Sequence, residues 1–297
     1  MPAKLLDGRV VAEQIRSKIK VKMRELAGLI VEPHLVAILI GDNPASQAYL
    51  KNNQLAFGAV GIPLREVVLD AKTPQRELEG IIGKLNDDKT VTGILLHLPL
   101  PAGLNETACI SAISREKDVD GLNPYNLGLL AYKTPSLAPC TPSGIIVLLK
   151  YYHVTISGKH VVVINRSKPV GRPLSQLLLN EDATVTVCHS KTQDLVNIAR
   201  TADILITGIG RRNEFVVGSD MIKPGAVVVD VGTSSVGAKV VGDVDFEAAV
   251  RTASYLTPVP GGVGPVTTCM LLYNSLLAAC LQSHVEMRLG TSDLAEA

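Results

Sequence analysis

Short runs of β-branched and aliphatic residues alternate along this chain with longer stretches whose apolar positions recur at helical spacing. That alternation restricts the fold to the α/β class. Residues 8–29 carry an amphipathic helical pattern, and residues 34–40 read as a short buried strand closing at Gly41-Asp42. Asn43-Pro44 opens a second helix that runs to about residue 60, where Gly61 and Pro63 stop it. A strand over 64–69, a helix over 74–85 and a strand over 91–98 follow; the prolines of Leu98-Pro-Leu-Pro101 end the last strand's pairing. A second series begins after Pro139-Cys140-Thr141-Pro142, with a helix over 143–152 and strands over 161–164, 184–187, 204–207 and 226–231. The expected organisation is a first domain over residues 1–140 and a dinucleotide-type domain over 141–264. An apolar helix over about 265–282 returns to the first domain, and a polar tail over 283–297 frays.

Composition fits covered parallel sheets. Hydrophobic residues make up 46% of the 297 positions, with no Trp, so Val, Ile, Leu and Ala fill the core. A formal net charge of +1 gives no basis for a nucleic-acid or anionic-membrane partner. Five cysteines, an odd number without C-x-x-C spacing, argue against a disulfide framework or a zinc site, so no metal is expected and the compartment reads as reducing. Neither a secretory h-region nor an apolar run long enough to cross a bilayer is read in the sequence, so a cytoplasmic enzyme is the expectation.

Between the strand ending at Ile164 and the helix after it lies Asn165-Arg166-Ser167-Lys168-Pro169-Val170-Gly171. This is where a phosphate-binding turn belongs: a helix N-terminus offers N–H groups and partial positive charge, and Arg166 and Ser167 add a guanidinium and a hydroxyl. An ordinary strand-to-helix turn would look similar. NAD sites place a carboxylate about 20 residues further on to hold the ribose hydroxyls. Here the next strand ends in Cys188-His189-Ser190-Lys191, without one, which favours NADP if a dinucleotide binds.

Six segments together resemble the methylenetetrahydrofolate dehydrogenase/cyclohydrolase family. They are Ser46-Gln-Ala-Tyr49, Leu98-Pro-Leu-Pro101, Lys117-Asp-Val-Asp-Gly121, Pro139-Cys-Thr-Pro142, Arg166-Ser167 with Val170-Gly171, and Thr257-Pro-Val-Pro-Gly-Gly-Val-Gly-Pro265. The resemblance implies two α/β domains flanking a cleft, the C-terminal one Rossmann-like, assembled as a homodimer. It also implies a folate substrate, NADP as hydride acceptor, and hydrolysis of the methenyl product to 10-formyltetrahydrofolate. Tyr49 matches the tyrosine that stacks on the folate ring, and Asp120 the aspartate that hydrogen-bonds the pterin edge. Pro260, Gly261, Gly262 and Gly264 match a loop that approaches the substrate. Asn165, Arg166, Ser167, Gly171, His189 and Ser190 form the expected cofactor site.

The reactive centre departs from that family's pattern. The family's proton-transferring lysine, four residues after the tyrosine, is Asn53 here, and an amide does not titrate. Lys51 would point away on the same helix. The family's glutamine before Leu-Pro-Leu-Pro is His97, which either takes over proton transfer or simply donates a hydrogen bond to Asn53 or substrate. Asn165 stands where the family has glycine, so a side chain adds bulk where the dinucleotide approaches, its backbone is expected to be strained if it keeps a glycine conformation, and weak NADP binding is expected. The turn Gly208-Ile-Gly-Arg-Arg212 lacks a proline usual in the family. Three functions follow as expectations: an NADP-dependent dehydrogenase with weak or absent cyclohydrolase activity, a paralogue that passes the methylene group to another nucleophile, or a non-catalytic folate-binding subunit.

Overall fold

The computed structural model describes residues 2–237 and 239–296. Strand β1 (Lys4–Leu5) opens the chain, and α1 (Gly8–Leu26) follows with Val11, Ala12, Ile15 and Ile19 buried at helical spacing. β2 (Leu35–Ile40) is buried at every position, as a parallel strand covered on both faces must be. Proline starts α2 (Pro44–Val60), and Gly61, with φ of 82°, ends it. Next come β3 (Leu64–Leu69), α3 (Gln75–Asp87) and β4 (Gly93–Leu96). Two short helices follow, α4 (Glu106–Ala112) and α5 (Pro124–Ala131), capped by the side chains of Asn105 and Asn123. The second series runs α6 (Cys140–Tyr151), β5 (His160–Ile164), α7 (Gly171–Asn180), β6 (Thr184–Cys188), α8 (Leu195–Ala199), β7 (Ile204–Thr207) and β8 (Val227–Asp230). It continues with the hairpin β9 (Ser234–Val236) and β10 (Lys239–Val241), then α9 (Phe246–Thr252) and β11 (Tyr255–Leu256). The long α10 (Val263–Gln282) and the short α11 (Thr291–Ala295) close the chain.

The chain divides into two compact units, one of residues up to 15, 141–267 and from 291, the other of residues 16–140 and 268–290. In the second of these, β3-β2-β4 form a three-stranded parallel sheet. Leu78, Ile82 and Leu85 of α3 and Cys109 and Ile110 of α4 pack against Val36, Ile38 and Ile40 of β2. Lys117 closes the end of α3: its ammonium donates to the carbonyls of Leu85, Asn86 and Asp88 at 3.0, 2.8 and 2.7 Å.

The other unit holds a six-stranded parallel sheet of order β1-β11-β8-β7-β5-β6. Beyond β1, the strand order is that of a doubly wound nucleotide-binding sheet whose first strand is β5. Its core face packs Val162, Ile164, Leu205 and Val228 against Ala199, Ala249 and Ala253 of the covering segments.

Three expectations are corrected here. Residues at the N-terminus belong with the six-stranded sheet, because β1 pairs with β11 (Lys4 opposite Tyr255) and the Gly8 N–H donates to the Gly261 carbonyl at 2.9 Å. The tail does not fray throughout: α11 buries Leu294 completely, and the Gln14 amide donates to the Glu296 carbonyl. Among the described residues one helix, α10, is long and apolar enough to cross a membrane by length and composition, contrary to the sequence reading. It is a core helix, with 78% of its apolar window buried inside the protein.

Candidate functional site

The residues expected to carry chemistry fall into two groups, one in each unit. In the three-stranded unit, Tyr49 and Asn53 lie one helical turn apart on α2, so they share a face. His97 follows β4, its backbone N–H held by the Ile38 carbonyl at 2.9 Å, and its ring meets Tyr49 edge-on, with centroids 5.6 Å apart at 76°. Asp120 lies close enough to Tyr49 for its charge to raise the phenol's pKa, so Tyr49, Asn53, His97 and Asp120 converge. Lys51 is exposed, as its position on the helix implied.

The Lys117-to-Gly121 segment divides its labour. Lys117 caps α3, as described above. Asp118 is buried and accepts from the Asn123 N–H at 2.7 Å and the Asn126 amide at 2.9 Å. Gly121, with φ of 70°, presses against the backbone of Ala138 and Pro139, where a Cβ would overlap. Asp120 is left to face the site. Sequence reasoning missed the support behind it. Asn274 of α10 donates to the Val119 and Ala138 carbonyls, both at 2.8 Å, and reaches the Cys140 thiol at 3.5 Å. Gly121→Ala is therefore expected to destabilise the protein by about 3 kcal/mol or more through backbone overlap and the left-handed φ. A denaturant melt showing less than half of that would remove this account of the motif.

Electrostatically the group is poised near neutrality. Burial, then the charge of Asp118, pushes the Asp120 carboxyl up to about 7, opposed by the nearby Cys140 thiol. Burial, and next the Asp120 charge, pushes the Tyr49 phenol up, so it stays protonated and donates. Burial lowers His97 to about 4, which makes it a neutral imidazole at pH 7.

Asn53 is fully buried, and neither its Nδ2 nor its Oδ1 has a hydrogen-bond partner; His97 Nε2 is buried and unpartnered too. Asn53 approaches the Tyr49 hydroxyl closely enough to lower that phenol's pKa slightly, but without hydrogen-bond geometry. Of the alternatives for His97, a hydrogen bond to Asn53 is thus not made. Orphaned buried polar atoms cost about 1–3 kcal/mol each. Three of them beside one tyrosine leave donors and an acceptor open to a polar ligand.

In the six-stranded unit, Asn165, Ser167 and Gly171 come together at the end of β5. Asn165 Oδ1 accepts from the Ser167 N–H at 2.6 Å, and Ser167 Oγ accepts from the Val170 N–H at 3.3 Å and the Gly171 N–H at 3.5 Å. Asn165 is not among the residues with positive φ, so the strain expected of it is absent. Arg166 is exposed, as are Ser190 and Lys191 at the end of β6, while His189 Nδ1 accepts from the Lys191 N–H at 3.1 Å. An exposed guanidinium, exposed polar groups without a carboxylate, and the start of α7 fit a dinucleotide phosphate and its 2′-phosphate.

Two buried aspartates brace this end of the sheet, and sequence reasoning passed over them. Asp243 accepts from Thr207 Oγ1 and the N–H groups of Ile209 and Gly210 at 3.0, 2.6 and 2.9 Å. Asp230 accepts from the N–H groups of Gly232, Asp243 and Val244 at 2.9, 3.0 and 2.8 Å. A Cβ on Gly232 or Gly242 would overlap these carboxylates, so the Gly/Asp spacing of Asp230-Val-Gly232 and Gly242-Asp243 was the available signal.

In the Pro260–Gly264 segment, the Val259–Pro260 bond is cis. Gly261 packs on Arg9, and Gly262 on Pro258 and Thr257 and against Gly8; a Cβ on Gly264 would meet open space. Gly261 and Gly262 are thus explained by packing within their own unit.

The chain belongs to the tetrahydrofolate dehydrogenase/cyclohydrolase family: the family's catalytic-domain model matches residues 6–120 and its NAD(P)-binding-domain model residues 139–283. A relative named bifunctional protein FolD, from Nitrosopumilus maritimus, is 48% identical over 280 residues, covering 94% of this chain and 98% of that one. The solved bifunctional enzyme FolD, a methylenetetrahydrofolate dehydrogenase/cyclohydrolase from Campylobacter jejuni, is similar with a TM-score of 0.89 at 44% identity, covering 93% of this chain and 98% of that one. The Trypanosoma brucei N5,N10-methylenetetrahydrofolate dehydrogenase-cyclohydrolase, solved with NADP cofactor and inhibitor, gives a TM-score of 0.88 at 39% identity, with 94% and 97% covered.

Proposed function

We propose that this protein is an NADP-dependent methylenetetrahydrofolate dehydrogenase whose hydrolytic step is weak or lost. The observation that carries the reading is the neutral, unpartnered Asn53–His97 pair set beside Tyr49 and Asp120. Asp120 accepts N–H bonds from the pterin edge, gaining charge assistance as it ionises. Tyr49, in T-shaped contact with His97, presents a flat amphipathic ring to the folate and keeps its proton. The Asn53 amide and His97 Nε2 supply donors and an acceptor to the substrate's polar atoms near the one-carbon unit.

Arg166, Ser167, Gly171, His189 and Ser190 hold NADP, which when bound supplies the hydride acceptor. Converting the methylene bridge to the methenyl cation breaks one C–H bond, whose electron pair leaves with the hydrogen. No proton is released, so residues that position without titrating suffice. Hydrolysis differs. Water must add to the cation, a proton must leave, and a C–N bond must break to give the 10-formyl product. Asn53 cannot accept that proton, and a histidine near 4 is a poor base at pH 7. Neither the site nor the relatives supplies an observation favouring methylene transfer to another nucleophile or a non-catalytic subunit.

Purified protein mixed with methylenetetrahydrofolate and NADP tests the reading. The expected result is NADPH and the methenyl product formed in equal amounts, with no proton release in weakly buffered indicator solution above the enzyme-free rate. One proton appearing per NADPH at the dehydrogenase rate would show an intact hydrolase and sink the second half of the proposal. No NADPH at all would sink the first. The same enzyme acts in the cytoplasm as a homodimer on a small folate, without nucleic-acid or membrane partners. The near-neutral charge and the buried α10 support the last point, and the family resemblance supports the dimer.

A further inference from the structure

Doubly wound sheets bind ligands in the crevice where the strand order reverses. In this sheet β5 leads to β6 on one side and the chain then returns to β7 on the other, so the reversal lies between the C-terminal ends of β5 and β7. Asn165 is the first residue after β5, and Gly208 the first after β7. The Asn165 side-chain amide donates to the Gly208 carbonyl, tying one wall of the crevice to the other.

The other end of the same amide is also engaged. Its Oδ1 takes the Ser167 N–H at 2.6 Å, in the loop that leads to the start of α7, where a bound phosphate would seek such a donor. Neighbouring glycines fit closely round it. A Cβ on Gly171 would lie 2.6 Å from Asn165 Oδ1, and one on Gly208 would lie 3.1 Å from Nδ2. The amide is therefore flanked on both sides. Because Asn165 is not at positive φ, the backbone does not demand a particular residue here. What the asparagine contributes is its side chain.

We propose that Asn165 is a latch across the dinucleotide crevice: it satisfies Ser167 and Gly208 in the free protein, and a dinucleotide pyrophosphate must displace it to bind. The residue thereby sets a weak affinity for the cofactor. This rests on the dehydrogenase reading above. The cost of binding is the loss of two hydrogen bonds, only one of which the phosphate replaces: it can take the Ser167 donor but cannot donate to the Gly208 carbonyl.

Calorimetric titration of the folate-free protein with NADP tests the latch without reference to turnover. Asn165→Gly is expected to tighten the dissociation constant by about tenfold, and Asn165→Ala by a smaller factor in the same direction. Thermal unfolding of each variant establishes that it is folded, and Asn165→Ala keeps the test alive if the glycine variant does not fold. Unchanged or weaker NADP binding in a folded variant, beside measurable binding by the unsubstituted protein, would overturn the latch and leave the dehydrogenase reading standing. If none of the three proteins bound NADP or NAD, the dehydrogenase reading itself would be overturned, and the latch with it.

Discussion

Asp120→Asn is expected to separate stability from function. Folate binding should weaken by about 100-fold, the scale of losing one or two charge-assisted hydrogen bonds. Stability should move the other way above neutral pH. The carboxyl's folded pKa is raised to about 7, by burial first and Asp118 second, against a reference of 3.8. For an acid so shifted, the folded state holds a proton that the unfolded chain has released, so stability falls as pH rises from about 4 to about 7. Below that window the carboxyl costs nothing; above it the full penalty of a buried charge applies. Three pKa units set a ceiling of about 4 kcal/mol, and roughly 2 kcal/mol is a realistic gain once water entry is allowed for. The check is a pair of denaturant melts, at pH 5 and at pH 8. A variant stabilised equally at both, or at neither, would show that Asp120 is not the titrating group in this site.

Asn53→Lys is expected to have the second large effect, this time as a gain. The position is fully buried one helical turn from Tyr49. A lysine there acquires a pKa low enough for proton transfer when desolvated, and general acid–base catalysis contributes about 10²–10⁴-fold. Hydrolysis of methenyltetrahydrofolate should therefore rise by roughly 100-fold. Its pH–rate profile should show an ionisation absent from the unsubstituted protein. The dehydrogenase rate should change far less, because hydride transfer draws on no titrating group here. If the folded variant hydrolysed no faster, alone or with His97→Gln, the missing lysine would not be what limits this chemistry. Burying the ammonium will cost stability, so a thermal melt accompanies the assay.

The two predictions rest on different kinds of legibility. Tyr49 and Asn53 could be paired from sequence because an α-helix repeats its faces at a spacing visible in the chain. Asp120 could be singled out only through its motif. Nothing local separates it from Asp118, two residues away, yet Asp118 is consumed by Asn123 and Asn126 while Asp120 faces the site. That partition depends on where Gly121 meets Ala138 and where Asn274 of α10 reaches back, over sequence distances that no periodic pattern encodes. Likewise His97, read as a histidine with an ordinary pKa, is held near 4 by burial, a property of its neighbours rather than of the residue.

The α/β class, the alternation of the longer strands and helices, the turn after β5 and the family are legible in the chain. These follow from hydrophobic periodicity and from motifs whose residues are adjacent in the chain. Only the folded chain shows that β1 joins the six-stranded sheet, that Leu294 is buried, and that Asn53 and His97 keep three polar atoms unpartnered. It also shows that Asn165 spans the crevice to Gly208 instead of straining its own backbone. The physical reason is the same in each case. Whether a polar atom is satisfied, and whether an apolar one is covered, depends on groups tens to hundreds of residues away, and only folding brings those groups into contact.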